Sequence, residues 1–284
     1  MSSPAASAGM LGRALRHPSF AAGGALTALL LATAGLSLLW TPHSAYLIQV
    51  RQRLLPASGQ HWLGTDTLGR DVASMLMVGA QNSIVVGVVA VLIGLSFGVA
   101  LGLLAASRRG WVEELVMRLA DFGFAFPAIL LAILFTAVFG PSAVNAIIAI
   151  GIFNVPVFAR ISRAAGNVVW AREFVLAARA AGKGRLRITA EHVLPNILPI
   201  LVVQATIQFA IAILAEAALS YLGLGTQPPN PSWGRMLNEA QTMIFSAPLL
   251  AVFPGIAIAF SVLGLNLMGD GLRDLVDPRL ARMR

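Results

Sequence analysis

Six stretches of this chain, about 20–40, 83–106, 122–140, 142–160, 197–223 and 247–268, stay apolar for the length of a membrane crossing. A helix rises 1.5 Å per residue, so about 20 residues cover the ~30 Å of hydrocarbon in a bilayer. Lipid offers no partner to a backbone N–H or C=O, so long apolar stretches satisfy themselves as helices. An all-α integral membrane protein of six transmembrane helices is therefore expected. Composition agrees: 11% of the 284 residues are charged and the mean hydropathy is +0.80, against roughly 25% charged in soluble domains. The absence of cysteine excludes disulfides, thiolate metal sites and thiol catalysis. The net charge of +8 does not point to nucleic acid, because the basic residues lie in short clusters beside the apolar stretches, as membrane topology requires.

Arg13 and Arg16 precede the first apolar run, Phe20 to Trp40. That run exceeds the ~7–15 residues of a cleaved signal core and reads as a retained first helix. Gly140-Pro141-Ser142 supplies the turn between the third and fourth spans. Six spans put both termini on one side. With a cytoplasmic N-terminus, sixteen of the 20 basic residues fall inside, and only Arg51, Arg53, Arg70 and Arg235 fall outside. The positive-inside rule then places both ends in the cytoplasm. The expected organisation is a tail at 1–18, a first helix and outer loop at 19–81, a five-helix core at 82–268 and a tail at 269–284. A polar cytoplasmic loop, 166–195, interrupts the core.

Within that loop, Glu173 to Ala181 is made mostly of good helix formers. Gly182 supplies a stop, and a second helix is expected to end at Pro195. Helical spacing groups Leu186, Ala190 and Val193 on one face, with Arg185, Thr189 and His192 elsewhere. The pair suits either of two roles: an apolar ridge rimmed by arginine for a groove on a partner protein, or a basic interfacial helix on anionic lipid.

The stretch Leu176-Ala177-Ala178-Arg179-Ala180-Ala181-Gly182, followed after residues 183–191 by His192-Val193-Leu194-Pro195, resembles the "EAA" coupling loop of ABC importer permeases. Leu176 stands where that motif has its glutamate; Glu173 is the nearest acid. The outer string His61-Trp62-Leu63-Gly64-Thr65-Asp66 with Gly69-Arg70-Asp71 resembles the hallmark of the C-type permease subunit of dipeptide, oligopeptide and nickel importers. The block Leu214 to Gly225 with Pro229 to Trp233, and Asn266 to Asp274 with Asp277-Pro278-Arg279, are similar to further family signatures. The resemblance implies a type I importer fold in a bacterial plasma membrane. It implies a heterodimer with a B-type permease, two ABC ATPase subunits that carry ATP and Mg, and an extracytoplasmic binding protein. It also implies that Glu173, Ala177, Ala178, Arg179, Gly182, Arg185, Arg187, His192 and Pro195 form the ATPase-docking loop. Peptide, and dipeptide above longer peptides, is the expected cargo, with nickel or another small solute as the alternative.

The residues set limits of their own. No G-x-x-x-x-G-K-[ST] loop occurs, so this chain does not bind ATP in the P-loop manner, and no His/Glu spacing fits a zinc protease. A non-catalytic subunit with no cofactor of its own is expected. A secondary transporter would need intramembrane acidic sites repeated between halves, and none is visible. A simple membrane scaffold would not need the outer and C-terminal signatures. Glu216 is the one carboxylate well inside a span; there it is either a pathway residue or a helix-to-helix bond near the outer end. Gly94, Gly98 and Gly102 repeat at the spacing that lets helices pack closely. Pro127, Pro156 and Pro254 mark expected kinks.

Overall fold

The computed structural model describes residues 17–276. The basic pair Arg13 and Arg16 and the signature residues Asp277, Pro278 and Arg279 lie outside them. Among the described residues ten α-helices follow one another: α1 (Pro18–Leu39), α2 (Val72–Arg108), α3 (Trp111–Phe124), α4 (Ala128–Phe139), α5 (Ala143–Trp170), α6 (Glu173–Ala180), α7 (Arg185–Ile188), α8 (Leu194–Tyr221), α9 (Trp233–Ala240) and α10 (Leu249–Val276). Five of these, α1, α2, α5, α8 with the turn before it, and α10, are long and apolar enough to cross a membrane.

The expected single span at 122–140 is instead a broken pair. α3 and α4 meet at a bend of 83°. Pro127 N-caps α4 with an extended backbone (ψ 128°), and its fixed ring and missing N–H end helical pairing there. Packing decides whether this pair crosses. Along α2, Gly94 faces Asn154, Gly98 faces Val155 and Phe158, and Gly102 faces Ala159 and Ser162 of α5. The numbers rise together, so α2 and α5 run parallel and start at the same end of the bundle. The chain from the end of α2 to the start of α5 must return across the bundle, and α3–α4 is that return. The count is therefore six crossings. Accordingly His17 Nε2, at the start of α1, lies 3.4 Å from Asp274 Oδ2, at the end of α10; five crossings would separate them.

The α2–α5 contact needs glycine for room. A Cβ at Gly94 would sit 2.2 Å from Asn154 Cβ, and at Gly98 or Gly102 about as close to a carbonyl oxygen of α5, at 2.5 and 2.4 Å. Lipid supplies no hydrophobic drive between helices, so this closeness, with its van der Waals gain, is what holds them. Two buried clusters result. One gathers α2, α5 and α8 with the inner faces of α6 and α7; the other gathers α1, α2, α8, α9 and α10. Large apolar side chains such as Leu29, Leu38, Phe97, Leu134 and Phe260 are left exposed on the outside of the bundle.

Several boundaries move from their expected places. α2 begins at Val72, in the expected outer loop, because Asp71 caps it there. α5 runs on to Trp170. The second helix of the polar loop does not end at Pro195. It passes through a π turn at Thr189–Val193 into α8. The Leu194 N–H bonds to Thr189 O, five residues back, and the wide turn spares the proline ring its clash with the carbonyl four residues earlier.

Candidate functional site

Three places carry the sequence-predicted residues: the α6–α7 pair at one end of the bundle, the His61–Asp71 motif at the other, and Glu216 near that second end.

At the first, α6 closes in a Schellman motif: Lys183 N–H bonds Ala178 O at 3.1 Å and Gly182 N–H bonds Arg179 O at 3.0 Å. Gly182 takes φ +80°, with nothing within 4 Å of the space its side chain would occupy. Glycine is needed there for conformation, not for room. Val175 and Ala178 of α6, with Ile188 and Val193 beyond the turn, are buried in the cluster shared by α2, α5 and α8. Ala178 is thus an anchor, and Val193 does not join the expected ridge with Leu186 and Ala190, because the π turn rotates it inward. The outward surface is Glu173, Phe174, Leu176, Ala177, Arg179, Arg185, Leu186 and Arg187. Leu186 is 85% exposed and Leu176 53%. His192 is half-buried, edge-on to Phe174 at 6.1 Å and 3.3 Å from Lys183 Nζ. Pro195 is exposed at the start of α8.

Glu191, absent from the expected set, braces this region. Its carboxylate accepts from Lys183 Nζ and from Arg187 Nε, both at 2.6 Å, and its i,i+4 spacing from Arg187 was the available signal. Glu173 does not occupy the place of Leu176. It lines a groove of about 900 Å³ with Arg172, Asn196 and Ile200, whereas Leu176 lines a separate cavity of about 480 Å³ with Arg108, Arg109, Arg179 and Arg185.

At the opposite end, Gly64 and Gly69 adopt φ +77° and +76°, and a Cβ at either would meet a carbonyl oxygen, of Leu55 at 2.4 Å or of Gln49 at 2.0 Å. Between them Thr65 Oγ1 donates to Gln52 O at 2.5 Å and accepts from Leu55 N at 2.8 Å. Asp66 accepts from the Leu68 and Arg70 amides and from Arg70 Nε at 2.7 Å. Arg70 also reaches Glu239 of α9 at 2.5 Å. Burial works against the Arg70 charge, but Asp66 and Glu239 outweigh it and hold the guanidinium above its ordinary value. Asp71 caps α2 through Ser74 N, at 2.8 Å. Burial pushes its carboxyl up, yet His61, 2.8 Å away, and Ser74 hold it below the ordinary value. The motif is a clasp that joins the loop after α1 to α2 and α9. Glu239 was the missed member; its i,i+4 partner Arg235 was the sequence signal.

Glu216 is fully buried. It accepts from Ser220 Oγ at 2.6 Å, Ser83 Oγ at 3.2 Å and Thr226 Oγ1 at 3.3 Å, with Ser232 as a fourth hydroxyl partner. These donors come from α2, α8, the following loop and the N-cap of α9. Deeper in the bundle, Gln208 Nε2 donates to Asn154 Oδ1 at 2.9 Å, a buried amide pair linking α8 to α5 that the sequence reading passed over. Asn154 also borders an apolar cavity of about 370 Å³ with Ile129, Ile150, Phe153, Leu214 and Leu219. Pro127, at the kink, is not among the lining residues but directly precedes one of them, Ala128. Glu216 is not among the lining residues.

Residues 98–282 match the family model of the binding-protein-dependent transport system inner membrane component. The chain belongs to this family. Among relatives, the dipeptide transport system permease protein DppC of Alkalihalophilus pseudofirmus is 47% identical over 80% of this chain and 75% of its own length. The glutathione transport system permease protein GsiD of Pectobacterium atrosepticum is 41% identical over 94% and 89%. Among solved structures, a chain of the MetNI methionine ABC transporter, in inward facing conformations, superposes with a TM-score of 0.60 at 20% identity, covering 72% of this chain and 97% of that one. That likeness shows the type I importer permease fold. The chain is a multi-pass inner membrane permease component of this family.

Proposed function

We propose that this chain is the C-type permease of an ATP-driven peptide importer, with dipeptides as cargo. It pairs with a homologous B-type permease, takes substrate from an extracytoplasmic binding protein, and is driven by two cytoplasmic ATPase subunits that hold ATP and Mg. Both termini lie in the cytoplasm, as the charge asymmetry and the meeting of His17 with Asp274 support. Two relatives named for dipeptide and glutathione transport support peptide over nickel.

One observation carries the mechanism. The α6–α7 pair presents Leu176, Leu186 and the arginines outward while Val175, Ala178, Ile188 and Val193 root it in the cluster of α5 and α8. The same two helices wall the apolar cavity. Movement of an ATPase against the outward face is thus transmitted as a rigid body to the cavity walls, exchanging inward-open for outward-open states. The two states must differ in contact energy with the ATPase for this to work. In this role the docking face works through shape and arginine, with Leu176 where an acid would otherwise pair. The test is uptake of labelled dipeptide by proteoliposomes holding the full importer. Wild type accumulates peptide only with ATP, and Leu186→Asp loses at least ten-fold in rate while the chain still assembles with its partner permease. ATP-independent uptake, or unaltered uptake by Leu186→Asp, overturns the proposal.

A further inference from the structure

Two of the four histidines in the chain converge on one buried carboxylate at the outer end of the bundle. His61 Nδ1 lies 2.8 Å and His43 Nδ1 3.6 Å from Asp71 Oδ1. The ligating atoms of all three lie within 4.8 Å of one another, and the two rings are 4.5 Å apart. The helix cap and the clasp use only Asp71 and His61; His43 is required by neither.

We infer that His43, His61 and Asp71 form a binding site for a divalent transition-metal cation of the zinc class. Two imidazoles and a carboxylate are the borderline nitrogen and oxygen donors that such ions select. Three protein ligands leave a fourth position for water, and the His43 side chain, 44% exposed, opens the site to solvent. The surroundings are already arranged as an outer shell. Asp71 Oδ2 is held by Ser74 N and Oγ at 2.8 and 2.7 Å, which leaves Oδ1 to the histidines. The same Ser74 Oγ accepts the His43 backbone N–H at 3.0 Å, fixing the base of the third ligand. His61 Nε2 faces Gln52 Oε1 at 3.3 Å, so both nitrogens of His61 face acceptors. A neutral imidazole has one N–H and cannot satisfy both. A cation at Nδ1, with Nε2–H donating to Gln52, satisfies both and matches the way carbonyl partners orient metal-bound histidine. The ion would fasten the loop after α1 to the start of α2. The site lies outside the apolar cavity between α4, α5 and α8.

The test uses the full chain, purified in detergent through a tag without histidine, stripped with a chelator and given Zn²⁺. With no cysteine and only two other histidines, background binding is low. Elemental analysis is expected to find one zinc per chain, and competition with a chromogenic chelator to find affinity at least 30-fold weaker in His43→Ala. Gln52→Leu, which touches no ligand atom, is expected to weaken binding about 10-fold. The zinc-free unfolding temperature of His43→Ala should equal that of wild type, since His43 supports neither the cap nor the clasp. Less than one zinc per chain in the wild type, or wild-type affinity in His43→Ala, overturns the inference.

Discussion

Replacing Glu216 separates a pathway role from a bracing role. Four hydroxyls, from Ser83, Ser220, Thr226 and Ser232, converge on this one carboxylate, and a carboxylate offers about four lone-pair sites. Glu216→Ala removes every acceptor at once. Ser220 can turn back to a carbonyl of its own helix, but the other three lie on different segments. A buried group left unsatisfied costs about 1–3 kcal/mol, so two such groups alone cost about 2–6 kcal/mol, and the emptied volume adds to that. Glu216→Gln keeps one carbonyl oxygen, and its N–H groups can donate to the hydroxyl oxygens, so its loss is about 1 kcal/mol. The assay compares thermal unfolding of the purified variants with peptide uptake by the reconstituted importer. The bracing account expects Glu216→Gln to transport within about two-fold of wild type, and Glu216→Ala to unfold or fail to assemble. Abolished uptake in Glu216→Gln with an unchanged unfolding temperature would refute it and put the carboxylate on the substrate path.

Two further substitutions test the packing and the coupling element. Gly98→Leu must force side-chain atoms into a gap where even a Cβ meets Val155 O at 2.5 Å; overpacking of this kind costs about 3 kcal/mol, and thermal unfolding should show it while Gly24→Leu, in open space, shows none. At Gly182 the left-handed backbone, not size, sets the limit, so Gly182→Asn should retain most uptake. Gly182→Val strains the cap of α6 by about 1–2 kcal/mol, and its uptake should fall without loss of assembly; equal uptake by both variants would remove the conformational argument.

How much was legible in the sequence follows from the range of the forces involved. Apolar length alone located α1, α2, α5, α8 and α10, because lipid enforces helix on any such stretch. The α3–α4 crossing was misplaced, since Trp111–Phe124 carries Glu113, Glu114, Arg118 and Asp121 and so fails a test of apolar length. The parallel course of α2 and α5 shows that the whole pair makes the crossing. The glycine repeat of α2 was readable as a close-packing face, whereas its partner α5 is set by contacts some 60 residues away. Pro195 reads locally as a stop, but a single π turn overrides it and rotates Val193 inward. The outer motif was visible as a string, yet its role as a clasp depends on Glu239, which is distant in sequence. Glu216 stood out in the sequence as a carboxylate within a span, but three of its four hydroxyl partners arrive only through tertiary packing.

The absence of native cysteine permits the most direct test of the central claim, that α6–α7 is where an ATPase drives this permease. A single cysteine at Leu186 is introduced into the full importer, and cross-linking to the ATPase subunits is measured with and without ATP. Leu29, exposed on α1, serves as the control position. The account predicts a strong cross-link from position 186, altered by ATP, and none from position 29. Equal, weak cross-linking from both positions in an importer that still takes up peptide would contradict it.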